Sequence, residues 1–258
     1  MITPIKIKYW LTLQVEIATA FISKLLPMSI GSLTVNTFYL FRVTKSVAIA
    51  GSTMTLNAAS STVAFIIILG FALIGNLSFL NNISFKSHNF NWIFILIILI
   101  AAGDIAWRLI HSKKYINKLK EDSHELWINF KKYKNDPLKV FGGIFLNGIG
   151  TLTGVTTLYI CTHSIGLNIT FPEAILTYTL GNIIGSLVPT PGGIGGAEAG
   201  LYGGLVFFGF DPDSSLVAVL IYRFITYWLP LIPGYLMYRH LRKSTLSGFH
   251  IKNKQQKA

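Results

Sequence analysis

Pro189-Thr190-Pro191-Gly192-Gly193-Ile194-Gly195-Gly196-Ala197-Glu198 is the stretch on which the fold of this chain turns. It sets two prolines, four glycines and a carboxylate between two apolar runs, Ile175 to Val188 and Ala199 to Phe210. Proline ends helices and glycine frees the backbone, so the stretch reads as a break. Neither flank reaches the roughly 20 residues that a spanning helix needs. Paired half-length helices on either side of a Pro/Gly break predict a re-entrant hairpin. Irregular backbone is tolerated at membrane depth only where it is packed in protein or lines a polar cavity, which places a functional centre near Gly192–Glu198.

The composition agrees that the bilayer is the solvent. Hydrophobic residues make up 52% of the 258 and charged residues 12%. That length holds one membrane domain, or two packed halves, without room for a sizeable soluble domain. A net charge of +12 raises the question of nucleic acid. The basic residues, however, sit at the ends of apolar runs, which is the positive-inside pattern, and no aromatic-basic module stands out. Cys161 is the single cysteine, which excludes an intramolecular disulfide and a Cys-based zinc cluster. Leu11–Leu26 is apolar but lacks a small-residue cleavage site and is followed by membrane segments, so it is not a signal peptide.

The chain reads as all-α and polytopic, with about five spans plus the hairpins. Residues 1–110 form a first half, with a segment at Tyr9–Leu26, a tip near Pro27–Ser32, a short arm at Leu33–Phe41, and spans at Val47–Ile74 and Trp92–Ile110. Residues 111–138 are a polar, Lys-rich loop. Residues 139–242 form a second half, with a span at about Leu138–Cys161, a hairpin over 172–210, and a span at Ser214–Tyr238. Residues 243–258 are a tail. Positive charge places the loop and the tail on the cytoplasmic side of the plasma membrane. The second hairpin then enters from the outer face, and the first, flanked by Lys6, Lys8, Arg42 and Lys45, opens towards the cytoplasm. Leu26-Pro27-x-x-x-Gly31-Ser32 echoes Val188-Pro189-x-x-x-Gly193. Hairpins entering from opposite faces are the mark of an inverted repeat, with a polar site at the midplane where the tips meet.

Pro189-x-Pro-Gly-Gly-x-Gly-x-x-Glu198-x-x-Leu201, followed by Tyr222-Arg223-x-x-Thr226-Tyr227-x-x-Pro230-x-x-x-Gly234, resembles the lysylphosphatidylglycerol synthase transmembrane-region family, also called flippase-like. Leu26-Pro27-x-x-x-Gly31-Ser32-x-x-x-Asn36 is similar to that family's looser N-terminal motif, and the resemblance runs from about Trp10 to Arg242. It implies an integral membrane protein. The best-known members carry a cytoplasmic aminoacyl-transferase domain and translocate the aminoacylated phospholipid. The tail after Arg242 holds no such domain, so lipid aminoacylation by this chain is not expected, and the chain reads as short at its front.

Glu198 falls in the first turn after Gly195-Gly196, where the helix dipole favours its ionised form. It reads either as a proton, cation or lipid-amine site or as a structural cap that accepts backbone N–H bonds. Arg223 lies inside an apolar span, where an unpartnered guanidinium costs several kcal/mol, so it calls for Glu198 or a phosphate as partner. The planar guanidinium fork suits phosphate. The candidate substrate-binding set is therefore Glu198, Arg223, Gly192, Gly193, Gly195, Pro189 and Pro191, with Arg42 as a residue able to draw in an anionic head group. Asp104 and Arg108, four apart, read as a structural helix pair. Glu16 and Lys24 rank no higher than packing or snorkelling, and Asp211 reads as an N-cap. Phosphate-cradling Gly-Lys loops, His-Glu-x-x-His and Gly-x-Ser-x-Gly are absent, and His163 has no second ligand at metal spacing. Neither enzyme activity, a cofactor nor a metal is expected.

The leading reading is a flippase-like transporter of a phospholipid or lipid-linked substrate, anionic or aminoacylated, with a separate biosynthetic enzyme as a possible partner. A non-catalytic subunit of a lipid or cell-envelope biosynthesis system is the alternative. An intramembrane lipid-modifying enzyme, with Glu198 as general base, ranks third.

Overall fold

The computed structural model describes residues 9–26, 30–75 and 137–241. The expected span at Trp92–Ile110 with Asp104 and Arg108, most of the basic loop, residues Pro27–Ser29 of the first tip, and the tail lie outside the described residues.

Every described element is helical: α1 (Tyr9–Leu25), α2 (Ile30–Thr44), α3 (Val47–Gly75), α4 (Pro137–Ser164), α5 (Phe171–Leu187), α6 (Gly196–Phe207) and α7 (Pro212–Leu241). Three of them, Ile49–Gly75, Leu138–Ser164 and Pro212–Leu241, are long and apolar enough to cross a membrane. With 17 residues, α1 falls short of that length. The second arm of the first hairpin is longer than the sequence implied: helix begins at Ile30, inside the expected Pro27–Ser32 tip, and continues past Phe41 to Thr44. Large apolar side chains such as Phe71, Leu138, Phe141, Ile160, Leu220 and Ile232 face outward. Against water that surface would drive aggregation, whereas against lipid it is the expected exterior.

Two hairpins flank the long helices. α1 and α2 run antiparallel, and Thr12 meets Tyr39 and Thr19 meets Asn36 through their side chains. Val15, Tyr39, Leu40 and Ala50 bury the contact between this hairpin and the start of α3. Lys45, at φ 57°, turns the chain from α2 into α3. The larger core lies at the other end of the bundle, where Leu158, Ile169, Leu205 and Val219 from α4 to α7 close together with Ala72 of α3.

The second hairpin, α5 and α6, packs backbone against backbone. α6 carries Gly196, Gly200 and Gly204 four residues apart, and α5 answers with Thr177, Gly181 and Gly185. A Cβ on Gly200 would lie 2.6 Å from the Leu180 carbonyl oxygen, and one on Gly193 would lie 2.7 Å from the Gly185 carbonyl oxygen. Small residues at this spacing let helices approach closely where lipid offers no hydrophobic drive for association. A capping box starts α5: the Glu173 carboxylate accepts from Thr170 N at 2.8 Å, and Thr170 Oγ1 accepts from Glu173 N at 3.4 Å. Asp211 caps α7, and the Ser214 amide and hydroxyl, both donating to it, hold its carboxyl below the usual carboxylate range.

The two hairpins open towards opposite ends of the bundle. Leu11, Arg42 and Leu241 line one groove, so the start of α1, the end of α2 and the end of α7 share an end. At the other end Pro172, at the start of α5, packs on Gly75, at the end of α3.

Candidate functional site

Midway along α7 the helix loosens. Phe224–Trp228 is a π-turn, in which Leu229 N donates to Phe224 O, five residues back, at 2.9 Å. The cause lies one turn on: Pro230 and Pro233 have no N–H, so the carbonyls of Thr226 and Leu229 lose their ordinary partners four residues ahead. A buried carbonyl without a donor costs on the order of 1–3 kcal/mol. Lys24, near the end of α1, supplies the donor. Its ammonium donates to the Thr226 carbonyl and to the Tyr227 carbonyl, the latter at 3.1 Å. In return the Tyr227 hydroxyl donates to the Lys24 carbonyl at 3.1 Å, satisfying one of the orphan carbonyls at the end of α1.

The tip of the second hairpin arrives at the same turn. Arg223 Nε donates to Glu198 Oε1 at 2.6 Å, and Arg223 Nη2 donates to the Gly192 carbonyl at 3.3 Å. The other carboxylate oxygen of Glu198 accepts from Gly195 N at 2.7 Å. That bond is the carboxylate half of a capping box, the other half being impossible because Gly195 has no side chain. Glu198 is thus a cap and an ion-pair partner at once. The pair is largely sheltered, with Arg223 at 12% and Glu198 at 27% exposure.

The geometry brings together most of the sequence-derived set. Gly192 gives its carbonyl to Arg223 and has φ 60°, and a Cβ there would lie 2.2 Å from the Tyr227 ring. Gly193 (φ 68°) and Gly195 (φ 86°) hold left-handed turns between the arms. Pro189 and Pro191 stand in the same break, beside Thr190, whose hydroxyl donates to the Ile194 carbonyl at 2.7 Å. Arg42 is not part of this cluster. It lies over the Phe38 ring, 5.0 Å from its centroid, at the end of α2 remote from the tip.

Two residues of the cluster were not singled out from sequence. Tyr227 is a shared platform, with the Arg223 guanidinium carbon 4.7 Å and the Lys24 ammonium 4.9 Å from its ring centroid. Lys24 looked like a snorkelling residue because sequence does not show what α1 ends against. Pro230, four residues after Thr226, was the available signal, since it leaves a carbonyl that some donor must serve. The cluster carries two cations and one carboxylate. Two of the five N–H donors of Arg223 are engaged by protein, and the rest can meet an anion.

A family model described as the lysylphosphatidylglycerol synthase TM region matches residues 2–234. A phosphatidylglycerol lysyltransferase of Staphylococcus haemolyticus (strain JCSC1435) is 32% identical over 81 residues, which are 31% of this chain and 10% of that relative's length. No solved structure matches the chain.

Proposed function

The chain belongs to the lysylphosphatidylglycerol synthase transmembrane-region family, and on that premise we propose that it binds the phosphate of a phospholipid or lipid-linked substrate where the two hairpin tips meet on α7, and carries that head group across the bilayer. The observation that carries the reading is the cluster's excess of one positive charge, set halfway along a helix long enough to span. Ionisable groups at such depth are expensive and are kept for function. Arg223 and Lys24 would hold the phosphate oxygens, Arg223 by its fork and Lys24 as a point charge. Glu198 would keep Arg223 oriented and balanced while the site is empty.

On this reading the α5–α6 and α1–α2 pairs are re-entrant hairpins of an inverted repeat, opening to the outer and cytoplasmic faces respectively, in the plasma membrane with the C-terminus inside. Two hairpins that open at opposite ends and meet on one helix support that arrangement. The relative's printed name, phosphatidylglycerol lysyltransferase, supports an anionic or aminoacylated phospholipid as substrate class, made by a separate enzyme. Binding and translocation are preferred to catalysis because Lys24 and Tyr227, the other titratable groups at the cluster, are engaged with the carbonyls of Thr226, Tyr227 and Lys24.

The test is translocation of a fluorescent anionic phospholipid in proteoliposomes of the purified chain. The wild type should scramble or flip the lipid. Arg223→Ala and Glu198→Gln should each cut the rate at least tenfold while still eluting as folded protein. A rate unchanged in both variants would overturn the reading, and a folded wild type without transport would favour the subunit alternative.

A further inference from the structure

A second polar site lies between α1, α2, α3 and the first turns of α4, away from the π-turn. Glu16, an exposed residue in the middle of α1, lines a cavity of about 180 Å³ together with Asn36, Thr53, Asn57 and Asn147. The remaining lining residues are Leu40, Met54, Gly143 and Leu146. Four helices, α1 to α4, each contribute at least one oxygen-bearing side chain. The three carboxamides are already joined into the site: Asn36 Nδ2 donates to Glu16 at 3.4 Å, Thr19 Oγ1 donates to Asn36 Oδ1 at 3.2 Å, and Asn147 Nδ2 donates to Asn57 Oδ1 at 3.4 Å.

The charge here is the reverse of that at the π-turn. Among the described residues no Lys, Arg or His lines the cavity, and the polar contact made to Glu16 is a long amide bond. A carboxylate among apolar helices needs a counter-charge. Glu198 has Arg223, while Glu16, among the described residues, has a neutral amide. Carboxylate, carboxamide and hydroxyl oxygens are the hard donors that alkali cations and ammonium groups take. One carboxylate matches one positive charge, whereas divalent sites usually gather more. A carboxamide can turn its oxygen or its nitrogen inward, so the three asparagines can accept a cation without rebuilding the helices. The volume is enough for an ion with a few waters.

We propose that the Glu16–Asn36–Asn57–Asn147 cavity is a binding site for a single monovalent cation, either an alkali ion or a primary ammonium. Bound there, the cation neutralises Glu16 and ties α1 and α2 to α3 and α4. The site stands independently of the phosphate site on α7, since none of its residues touches that cluster.

Thermal unfolding of the purified full chain tests it, with a thiol-reactive dye reporting exposure of Cys161, which is buried and is the chain's single cysteine. Ionic strength is held constant with choline chloride, whose quaternary head has no N–H donor. It is then replaced stepwise by sodium chloride in one arm and by ethylammonium chloride in the other. The wild type should melt several degrees higher in at least one arm, with a saturable midpoint, as linkage requires of a ligand that binds only the folded state. A rise with sodium assigns an alkali ion, and a rise with ethylammonium alone assigns a head-group ammonium. Glu16→Gln should abolish the rise, and Asn57→Ala, which removes an exposed side chain, should move its midpoint at least tenfold. No rise in either arm, or the same rise in both variants, overturns the proposal. If Glu16→Gln does not fold, Asn57→Ala decides alone.

Discussion

The two hairpins reach the same turn of α7 by different means. α5–α6 arrives with backbone: glycines bring its arms into contact, and the Gly192 carbonyl and the Gly195 amide touch the ion pair directly. α1–α2 arrives at that turn with the Lys24 side chain and carbonyl, and the α1 backbone packs on α7 only farther along, at Gly234, where a Cβ would lie 3.1 Å from the Ile17 carbonyl oxygen. A contact made by backbone fixes distance to fractions of an ångström. A contact made by a lysine on a flexible stem can stretch. At the π-turn the difference casts the α5–α6 tip as the rigid wall of the site and the Lys24 end of α1–α2 as the part able to move, and each prediction below tests that division.

The largest effect belongs to the backbone wall. Gly200→Val puts atoms against the Leu180 carbonyl, where even a Cβ would lie at 2.6 Å. Neither side can retreat, because both are main chain in helices, so folded, monodisperse protein should be lost on size-exclusion chromatography. Gly203→Ala, on the same helix with nothing within 4 Å of its Cβ, should elute as the wild type does. If Gly200→Val folds normally, the arms are not locked and the comparison fails.

Next comes the ion pair. Arg223→Ala leaves Glu198 with its Gly195 cap and no counter-charge, and should cost about 2 kcal/mol, between the values for exposed and buried pairs. The swapped variant, Glu198→Arg with Arg223→Glu, should not recover that loss. It restores the opposite charges but removes the acceptor for Gly195 N. Chemical denaturation of the three proteins in one detergent checks both statements.

Lys24 sharpens the comparison further. Lys24→Met strands the Thr226 carbonyl and should cost roughly 1–2 kcal/mol. Pro230→Ala restores an N–H four residues beyond Thr226, so the helix can serve that carbonyl itself. In the Pro230→Ala background, Lys24→Met should therefore cost less than half as much, a coupling that a double-mutant cycle measures directly. Equal costs in both backgrounds would mean that Lys24 packs against α7 without serving its broken ladder.

Much of this architecture was legible in the residues. The Pro/Gly break, the flanking half-length arms and the pairing of Glu198 with Arg223 follow from the rule that a charge and an open backbone at membrane depth must find partners. What sequence could not show was which surfaces meet. Gly181 and Gly185 carry no signal of their own, because their four-residue spacing gains meaning only when Gly196, Gly200 and Gly204 lie opposite. The π-turn was hidden because Pro230 and Pro233 announce missing donors without naming the substitute. Glu16 and Lys24 share a helix and a similar apolar setting, and only the fold turns one towards three asparagines and the other towards two carbonyls.

The smallest effect lies at the mouth of the second hairpin, in Asp211. Its carboxyl is held below the ordinary range by the Ser214 amide and hydroxyl, so it contributes stability above the unfolded carboxylate pKa of about 3.9 and loses it as pH falls through the depressed folded value. Asp211→Asn keeps an acceptor at the N-cap and removes only the charge. Its melting temperature should sit slightly below that of the wild type at pH 7, and the gap should close below about pH 4. The gap should also be smaller than that for Lys24→Met, because an exposed cap at a helix end constrains one turn, whereas Lys24 joins one hairpin to the helix that carries the site. A larger gap for Asp211 would move the organising contact from the tips to the mouth, and the division between a rigid wall and a movable arm would have to be drawn there instead.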